Sequence, residues 1–451
     1  MNTGLGQFIP LVLYVVILFG CAASAFWKPR IGIYIILPLL PFETLREKLD
    51  DFPLGSHAIY LILVSVIAGL FFRSQLTIPK TPLNRVLLAF AVFLYISLWQ
   101  GAFYLSSPLP LLLSDPRLAV WRDFMAMPLL FVATTGAIRT QSQIKFAVLV
   151  VCLSILIVDR SALMNVLSHS FSHFDENKRD GGPLGYAGSN GLAAFEAQCT
   201  CLLIGLAAYE KRRLRKIGLY LLIALTSYCL LYAFSRGGYL SLLTGLLVFG
   251  IFKDKKVILL VGVILLTWQF FVPQAVQERV MMTYNKDDKL EASADERVQL
   301  WTDSVQLITT NPVLGSGFAT YMFMGRVRHF KDTHNMYVKV LVETGIVGMV
   351  FFLLILSKLF TIARRLFRAA KEPFNQGLAL GLLTLMGCLV VVNLFGDRWT
   401  YIEINGITWV LFALGAQAYI LESRNQEAVS ENADESASQF DLQLAPVGQE
   451  R

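Results

Sequence analysis

Apolar runs, each close to the length that crosses a lipid bilayer, recur along this chain and leave few folds open to it. A helix needs about 20 apolar residues to cross the hydrocarbon core. Hydrophobic residues make up 55 % of the sequence and charged residues 16 %, which excludes an ordinary soluble domain. Runs near the spanning length lie at 8–26, 57–72, 84–105, 118–138, 144–158, 190–209, 216–234, 237–252, 256–273, 336–357, 376–395 and 403–421. A further short run at 31–41 is interrupted by Pro38. We therefore predict an all-α polytopic membrane protein with 12 spans, or 13 if the short run also crosses.

The positions of the basic residues predict which way the chain is oriented. Lys and Arg cluster in alternate loops, for example at 211–216 and 358–371. Such loops face the cytoplasm in membrane proteins. The net charge of +7 is therefore explained by topology and gives no reason to expect nucleic-acid binding. The intervening loops face outward, and they include one large periplasmic loop, 274–333, which is predicted to contain helices.

A histidine stands where this large loop ends and an apolar run begins. His334 and Asn335 precede a run that continues to 356, and Gly345 and Gly348 are spaced to let another helix approach closely. The positive end of a helix dipole favours the neutral imidazole, the form that a general base requires. Tyr337, three residues further on, is a second-ranked candidate for contact with sugar or lipid.

The large loop carries a predicted helix of its own. A capping box at 293–296 indicates where the helix begins. Its apolar residues Val298, Trp301, Val305 and Ile308 fall on one face, so we expect the helix to lie back over the membrane bundle.

Three segments, in this order along the chain, carry a family resemblance. They are Ser-Arg-Gly-Gly at 235–238; Arg297 with Trp301, followed by Asn-Pro-Val-Leu-Gly-Ser-Gly at 311–317; and His-Asn-x9-Gly-x-x-Gly at 334–348. In these segments the chain resembles the O-antigen ligase and O-antigen polymerase superfamily, whose members are lipid-linked glycan transferases of the bacterial inner membrane. The resemblance covers roughly 185–395.

The resemblance implies a metal-independent glycosyltransferase without a cofactor. It would move a glycan from an undecaprenyl-diphosphate carrier to an acceptor hydroxyl, in a multi-pass inner-membrane protein whose site faces the periplasm. Arg236 and Arg297 would bind the diphosphate through bidentate hydrogen bonds, and His334 would deprotonate or orient the acceptor. The implied partners are the lipid-linked glycan, a lipid or glycan acceptor and membrane lipid.

Other polar residues are weaker candidates. Ser235 and Asn335 adjoin the main candidates, and Glu196 falls inside a span, where an unpaired carboxylate is costly. Glu196 is expected either to neutralise Arg236 or to line the acceptor path. The outer turn 397–401, which contains Arg398, indicates interface anchoring. The six cysteines lie in apolar runs without the spacing of a metal site.

The function predicted from these motifs is surface-polysaccharide synthesis, but its form stays open. Ligation to lipid A core, polymerisation of repeat units and O-linked protein glycosylation differ only in the acceptor. The alternative is a lipid-linked oligosaccharide flippase or other polysaccharide transporter, which would place ionisable residues along the middle of many spans. Here they concentrate on one side, which favours an enzyme.

The predicted organisation has four parts. N-terminal membrane spans occupy 1–184 and an O-antigen ligase-like core occupies 185–395, including the periplasmic loop 274–333. The last span is 396–422, and 423–451 is a polar tail whose composition predicts disorder.

Overall fold

The computed structural model describes residues 8–73, 79–112, 114–169, 172–282, 292–327 and 332–444. Regular structure in these ranges is helical throughout, as the sequence predicts. The helices are α1 Ile9–Phe26, α2 Arg30–Leu39, α3 Glu43–Arg46, α4 Ala58–Phe72, α5 Asn84–Tyr104, α6 Pro116–Ala137, α7 Gln141–Ser168, α8 Gly188–Tyr209, α9 Arg213–Tyr232, α10 Arg236–Phe252, α11 Lys256–Thr267, α12 Gln274–Met281, α13 Ala292–Thr310, α14 Tyr321–Met324, α15 Met336–Ala369, α16 Pro373–Val392 and α17 Ile402–Leu444.

The chain is a multi-pass membrane protein. Within the described ranges, ten helices are long and apolar enough to cross a bilayer, or eleven if α11 and α12 are one broken span. Of the 12 predicted spans, the one that remains is α10, a short apolar helix of 17 residues, and the possible thirteenth is α2, of 10 residues. At 1.5 Å per residue, α10 is about 26 Å long and α2 about 15 Å. Apolar runs alone do not separate a full crossing from a short or bent helix, which explains the difference in count.

Three helices form the centre of the bundle. α8, α16 and α17 have mostly buried surfaces, whereas α1 and α9 lie at the periphery. α8 and α16 approach closely because glycine meets glycine where they cross: a Cβ on Gly205 would lie 2.1 Å from the backbone nitrogen of Gly381. The hydroxyl of Thr384 also donates a hydrogen bond across this interface to the carbonyl of Cys201, at 2.9 Å. The centre is therefore held by close backbone packing.

The start of α8, α10 and α15 and the end of α16 lie at the same end of the bundle, which we call the cavity end. α12 also reaches it, because the chain bends by 107° between the segments Lys256–Phe270 and Gln274–Met281. α12 packs against the turn between α9 and α10, where Phe234, Ala275 and Val276 are buried together. The bend thus brings the first part of the large loop back onto the bundle.

The loop helix packs on the bundle through a different face from the one predicted. Leu300 and Leu307 of α13 are buried against Val342 of α15. Val298 and Val305, two residues of the predicted face, are exposed. The buried face and the exposed face of α13 both contain apolar residues, so the sequence pattern alone does not show which face packs on the bundle.

The last helix is longer than predicted. α17 continues from Ile402 to Leu444, so 423–444 is helical where its composition predicts disorder, and 445–451 lies outside the described residues. Ala and Glu are frequent in this segment. Both are good helix formers, so a polar segment that follows a stable span can extend it.

Substitution of Gly205 by Ala should lower the thermal stability of the protein in detergent, because the new methyl group would meet the backbone of Gly381. Overpacking of this kind costs about 1–3 kcal/mol. Gly218→Ala is the matched control, since a Cβ there has no neighbour within 4 Å. Equal melting temperatures for the two variants would contradict the close α8–α16 contact.

Candidate active site

A cavity of about 230 Å³ at the cavity end is lined by four arginines. Its walls come from α8, α10, α12, α13 and the end of α16 with the turn that follows. The lining residues are Asn190, Ala194, Ser235, Arg236, Gly237, Gly238, Arg279, Arg297, Val392, Phe395 and Arg398. The set contains four guanidiniums and no carboxylate, which suits a polyanionic group. Arg236 and Arg297, predicted from separate motifs, thus line one cavity.

The first turn of α10 forms one wall. Ser235 is the residue before the helix, and 235–238 all line the cavity. Glycine is required here for space: a Cβ on Gly237 would lie 2.8 Å from the Cβ of Phe395, and one on Gly238 2.8 Å from that of Ala193. The N–H groups at the start of a helix and its dipole favour anions, so this wall adds to the effect of the arginines.

Two of the arginines, Arg279 and Arg398, are at least nine-tenths buried. The guanidinium of Arg279 stacks over the ring of Phe174 at 5.0 Å and donates to the carbonyl of Phe234 at 3.3 Å. Arg398 lies 5.8 Å from the ring of Tyr401 and donates to the carbonyl of Ala187 at 3.5 Å. No carboxylate in the described part of the chain lies within 4 Å of Arg398. A buried cation of this kind attracts an anion strongly.

Arg179 is a fifth arginine, which contacts a lining residue but does not itself line the cavity. Arg179 donates to the side-chain oxygen of Asn190 at 3.0 Å and pairs with Glu176 at 2.5 Å. Burial, and to a smaller extent the positive charge of Arg279, lowers the pKa of Arg179, although Glu176 acts in the opposite direction. The positive charge of Arg279 disfavours the charged form of Arg179, as expected where two cations lie close together.

A hydrogen bond from Arg236 to the main chain joins two walls of the cavity. Its Nη1 donates to the carbonyl of Met282 at 2.7 Å, just after the end of α12. Arg279, one turn earlier on α12, lines the same cavity. The first turn of α10 and the end of α12 are therefore fixed relative to each other.

His334 forms a pair with a carboxylate. Its Nδ1 lies 2.8 Å from Oδ1 of Asp332, and the same oxygen accepts a hydrogen bond from the backbone N–H of His334 at 2.8 Å. Burial would raise the pKa of Asp332, but the hydrogen bonds and charge of His334, with Lys339, outweigh it and hold that pKa well below its usual range. Asp332 is therefore a carboxylate, and an Nδ1–H donated to it leaves Nε2 as the proton-accepting nitrogen.

The backbone around His334 is shaped by Asn335. Asn335 is the N-cap of α15: its side-chain oxygen accepts from the N–H groups of Tyr337 and Val338, at 3.0 and 3.3 Å. His334 therefore precedes the helix instead of lying in its first turn, and its φ of +50° is in the left-handed region. Its orientation depends on Asp332 and this unusual backbone more than on the helix dipole.

The two glycines after His334 do not serve a helix–helix contact. Gly345 has φ +62° and interrupts α15, and a Cβ there would lie 2.3 Å from the carbonyl oxygen of Val313. The turn 312–317 fills the break: Ser316 N–H donates to Val342 O at 2.8 Å, and Ile346 N–H donates to Pro312 O at 2.9 Å. The two predicted glycine motifs therefore bind each other, a contact that apolar patterning does not reveal.

α13 connects the cavity to the histidine. Arg297 lines the cavity, and Trp301, four residues further along the same face, donates its indole N–H to the carbonyl of Thr333 at 3.1 Å. Residues four apart on a helix are about 5–6 Å apart at Cβ. Arg297 and His334 are thus linked by one helical turn and one hydrogen bond.

A second connection runs through the turn after α16. Met336 N–H donates to Asn393 O at 2.9 Å, next to the cavity residue Val392. Lys339 of α15 pairs with the buried Asp397 at 2.8 Å, next to Arg398. Both contacts hold the start of α15 against the wall that carries Arg398.

Other predicted residues are placed elsewhere. Glu196 is fully buried, does not line the cavity and forms no pair with Arg236, because α8 directs it toward α7 and α9. The hydroxyl of Tyr337 donates to Val390 O at 2.9 Å, which ties α15 to α16. The anchoring role predicted for the turn 397–401 is wrong for its central residues: Trp399 is 1 % exposed and Arg398 lines the cavity.

Sequence reasoning missed Arg279, Arg398 and the pairing of Asp332 with His334. One signal was available for the arginines: positive residues are expected on the cytoplasmic side, and these two lie on the predicted outer side. An outward arginine that departs from this rule is a candidate for binding an anion. No comparable signal marked Asp332 in the sequence.

Together, the helical bundle and the cavity define a multi-pass membrane protein with a cavity lined by four arginines at one end. Residues 193–353 match the family model described as O-antigen ligase. This segment of the chain is similar to the O-antigen ligase family, and the match supports a function of the O-antigen ligase or polymerase type in general. The match covers Arg236, Arg279, Arg297, Asp332 and His334 but ends before Arg398. No curated protein matches the chain.

Inorganic pyrophosphate should bind the purified protein and raise its melting temperature, and added salt should weaken the effect. Replacement of Arg398 by Gln should weaken binding about tenfold or more, because a charge-assisted hydrogen bond contributes about 1.5–3 kcal/mol. Arg365→Gln, an exposed arginine in the second half of α15, is the control. Equal affinity in the two variants would rule out the cavity as the binding site.

Proposed function

We propose that the protein transfers a glycan from an undecaprenyl-diphosphate carrier to an acceptor hydroxyl, on the periplasmic face of a bacterial inner membrane. The observation that carries this proposal is the cavity of four arginines, which α13 connects to the segment of the Asp332–His334 pair. The family match supports glycan transfer over a flippase. Both features lie at the end of the bundle that the basic loops predict to face outward.

In this proposal the arginines hold the leaving group. As the bond between the anomeric carbon and the phosphate oxygen breaks, its electron pair goes to the diphosphate. The guanidiniums of Arg236, Arg279, Arg297 and Arg398 would stabilise that charge as it develops. Divalent cations are held by oxygen ligands, chiefly carboxylates. The described residues that line the cavity include no carboxylate. This donor set supports a metal-independent reaction in which arginine replaces the cation.

His334 would activate the acceptor. Its Nε2 takes the proton of the acceptor hydroxyl as the oxygen attacks the anomeric carbon. Asp332 holds the ring through Nδ1, in the arrangement that orients a histidine base in other enzymes. α13 then joins the two sites, since Arg297 lines the cavity and Trp301 contacts the carbonyl of Thr333, next to His334.

The test is a transfer assay with purified protein in liposomes, an undecaprenyl-diphosphate glycan and EDTA. Product is expected with one of three acceptors: core lipid, a second lipid-linked glycan or an acceptor protein. The acceptor that yields product identifies the form of the reaction. Movement of intact lipid-linked glycan across the bilayer without a new glycosidic bond would overturn the proposal in favour of a flippase.

His334→Ala should lower kcat by about 10²- to 10⁴-fold, the usual contribution of a general base, while the KM for the donor changes little. Normal abundance and an unchanged melting temperature are the checks on folding. Activity near the wild-type level in a folded His334→Ala protein would exclude the base role.

Asp332→Asn should lower kcat less than His334→Ala does, because the ring remains but is no longer held by a carboxylate. The pKa of Asp332 lies well below its usual range, so the carboxylate stays charged at any pH above it. The deficit of the variant should therefore persist from about pH 5 to 8. A deficit that disappears within that range would contradict the assignment of a permanent carboxylate.

A further inference from the structure

Three helices bring two acids and a thiol together in the interior of the bundle. Asp159 lies on α7, Glu196 on α8 and Cys229 on α9, and all three are buried. One ligand atom from each lies within 4.8 Å of the other two. The cavity lining does not include them, and the proposed transfer reaction does not use them.

The carboxylate oxygens here lack the partners that buried polar groups normally have. Both oxygens of Glu196 and Oδ1 of Asp159 have no hydrogen-bond partner in the described part of the chain. Glu196 is 0 % exposed, and neither acid forms an ion pair with a described Lys, Arg or His. Two buried acids without a cation are costly, so something must compensate their charge.

A shared proton compensates only part of this cluster. One proton makes one hydrogen bond between the two carboxyl groups and satisfies two of the three unpartnered oxygens. A cation can bind all three oxygens and the sulfur as well. Ligand atoms of a tetrahedral zinc site are about 3.3–3.8 Å apart, so the three groups, now within 4.8 Å of one another, would move together by about 1 Å when they bind the ion.

We propose that Asp159, Glu196 and Cys229 bind one divalent cation of the zinc type. Carboxylate oxygen with sulfur is a donor set that Zn²⁺ accepts, whereas Mg²⁺ prefers oxygen alone. Cys229 would lose its thiol proton on binding; at present its Sγ lies 3.4 Å from the carbonyl of Asp159.

A neighbouring hydroxyl supports the geometry of the site. Oγ1 of Thr226 donates to Oδ2 of Asp159 at 2.7 Å, and so orients the carboxylate from outside, as the groups behind metal ligands do. The ion would join α7, α8 and α9. Glu196 lies two residues beyond Ala194 of the cavity wall, so the ion would also brace the helix that carries part of that wall.

The experiment uses the full chain without a histidine tag, treated with EDTA, supplied with Zn²⁺ and then desalted. Bound metal is measured by mass spectrometry and stability by thermal unfolding. Wild type should keep about one Zn²⁺ per chain and gain several degrees in melting temperature. Asp159→Asn and Glu196→Gln should lose both effects. Cys152→Ser, on the same helix as Asp159 but outside the cluster, should keep both.

Cobalt gives a second measurement, which reports on the sulfur ligand directly and is made first on the wild-type protein. Co²⁺ bound to wild type should show the absorption of a sulfur-to-metal charge transfer, and Cys229→Ser should abolish it. Retention of Zn²⁺ by Asp159→Asn and Glu196→Gln would mean an adventitious ion. Failure of wild type to bind Zn²⁺ tightly would mean that the acids are balanced by protons. Either result overturns the proposal, and neither affects the transfer reaction.

Discussion

The hydrogen bonds between the turn 312–317 and the break in α15 are the constraint on which the cavity end depends. An interrupted helix leaves carbonyl and N–H groups without their usual partners, which is costly inside a membrane protein. Here the backbone of the turn supplies those partners, and a glycine at 345 with φ +62° is what lets the turn come close enough. The turn follows α13, so the same contact fixes that helix and Arg297 against α15. The same helix contacts the short stretch before α15, which holds Asp332 and His334, through the hydrogen bond from Trp301 to Thr333.

The cavity combines a high positive charge with low exposure, and the two properties oppose each other. Buried guanidiniums cost free energy unless something offsets their lost hydration. For Arg279 and Arg398 part of the offset comes from aromatic rings and backbone carbonyls. For Arg179 it comes partly from Glu176, outside the lining. Neutral groups and a carboxylate outside the lining thus stabilise the buried guanidiniums.

Much of this arrangement is predictable from the sequence. Hydropathy gives the helical membrane fold, since lipid admits few alternatives for an apolar chain, and the basic clusters predict the side on which the loop lies. Short motifs point to Arg236, Arg297 and His334. The remainder depends on long-range packing. Nothing local distinguishes Arg398 from an interfacial arginine or shows which face of α13 is covered. Likewise, the sequence does not distinguish a glycine that interrupts a helix from a glycine at which a second helix packs closely.

A cavity lined by guanidiniums without carboxylates has a consequence for how it is occupied between turnovers. In water, such a site draws in small anions such as chloride or phosphate, because charge this concentrated does not stay uncompensated. In the proposed reaction, arrival of a lipid diphosphate would be an exchange of one anion for another, and its departure would be the reverse exchange. The strength with which the leaving group is held, and the ease with which it is released, would both be set by the ionic composition of the compartment that the cavity faces.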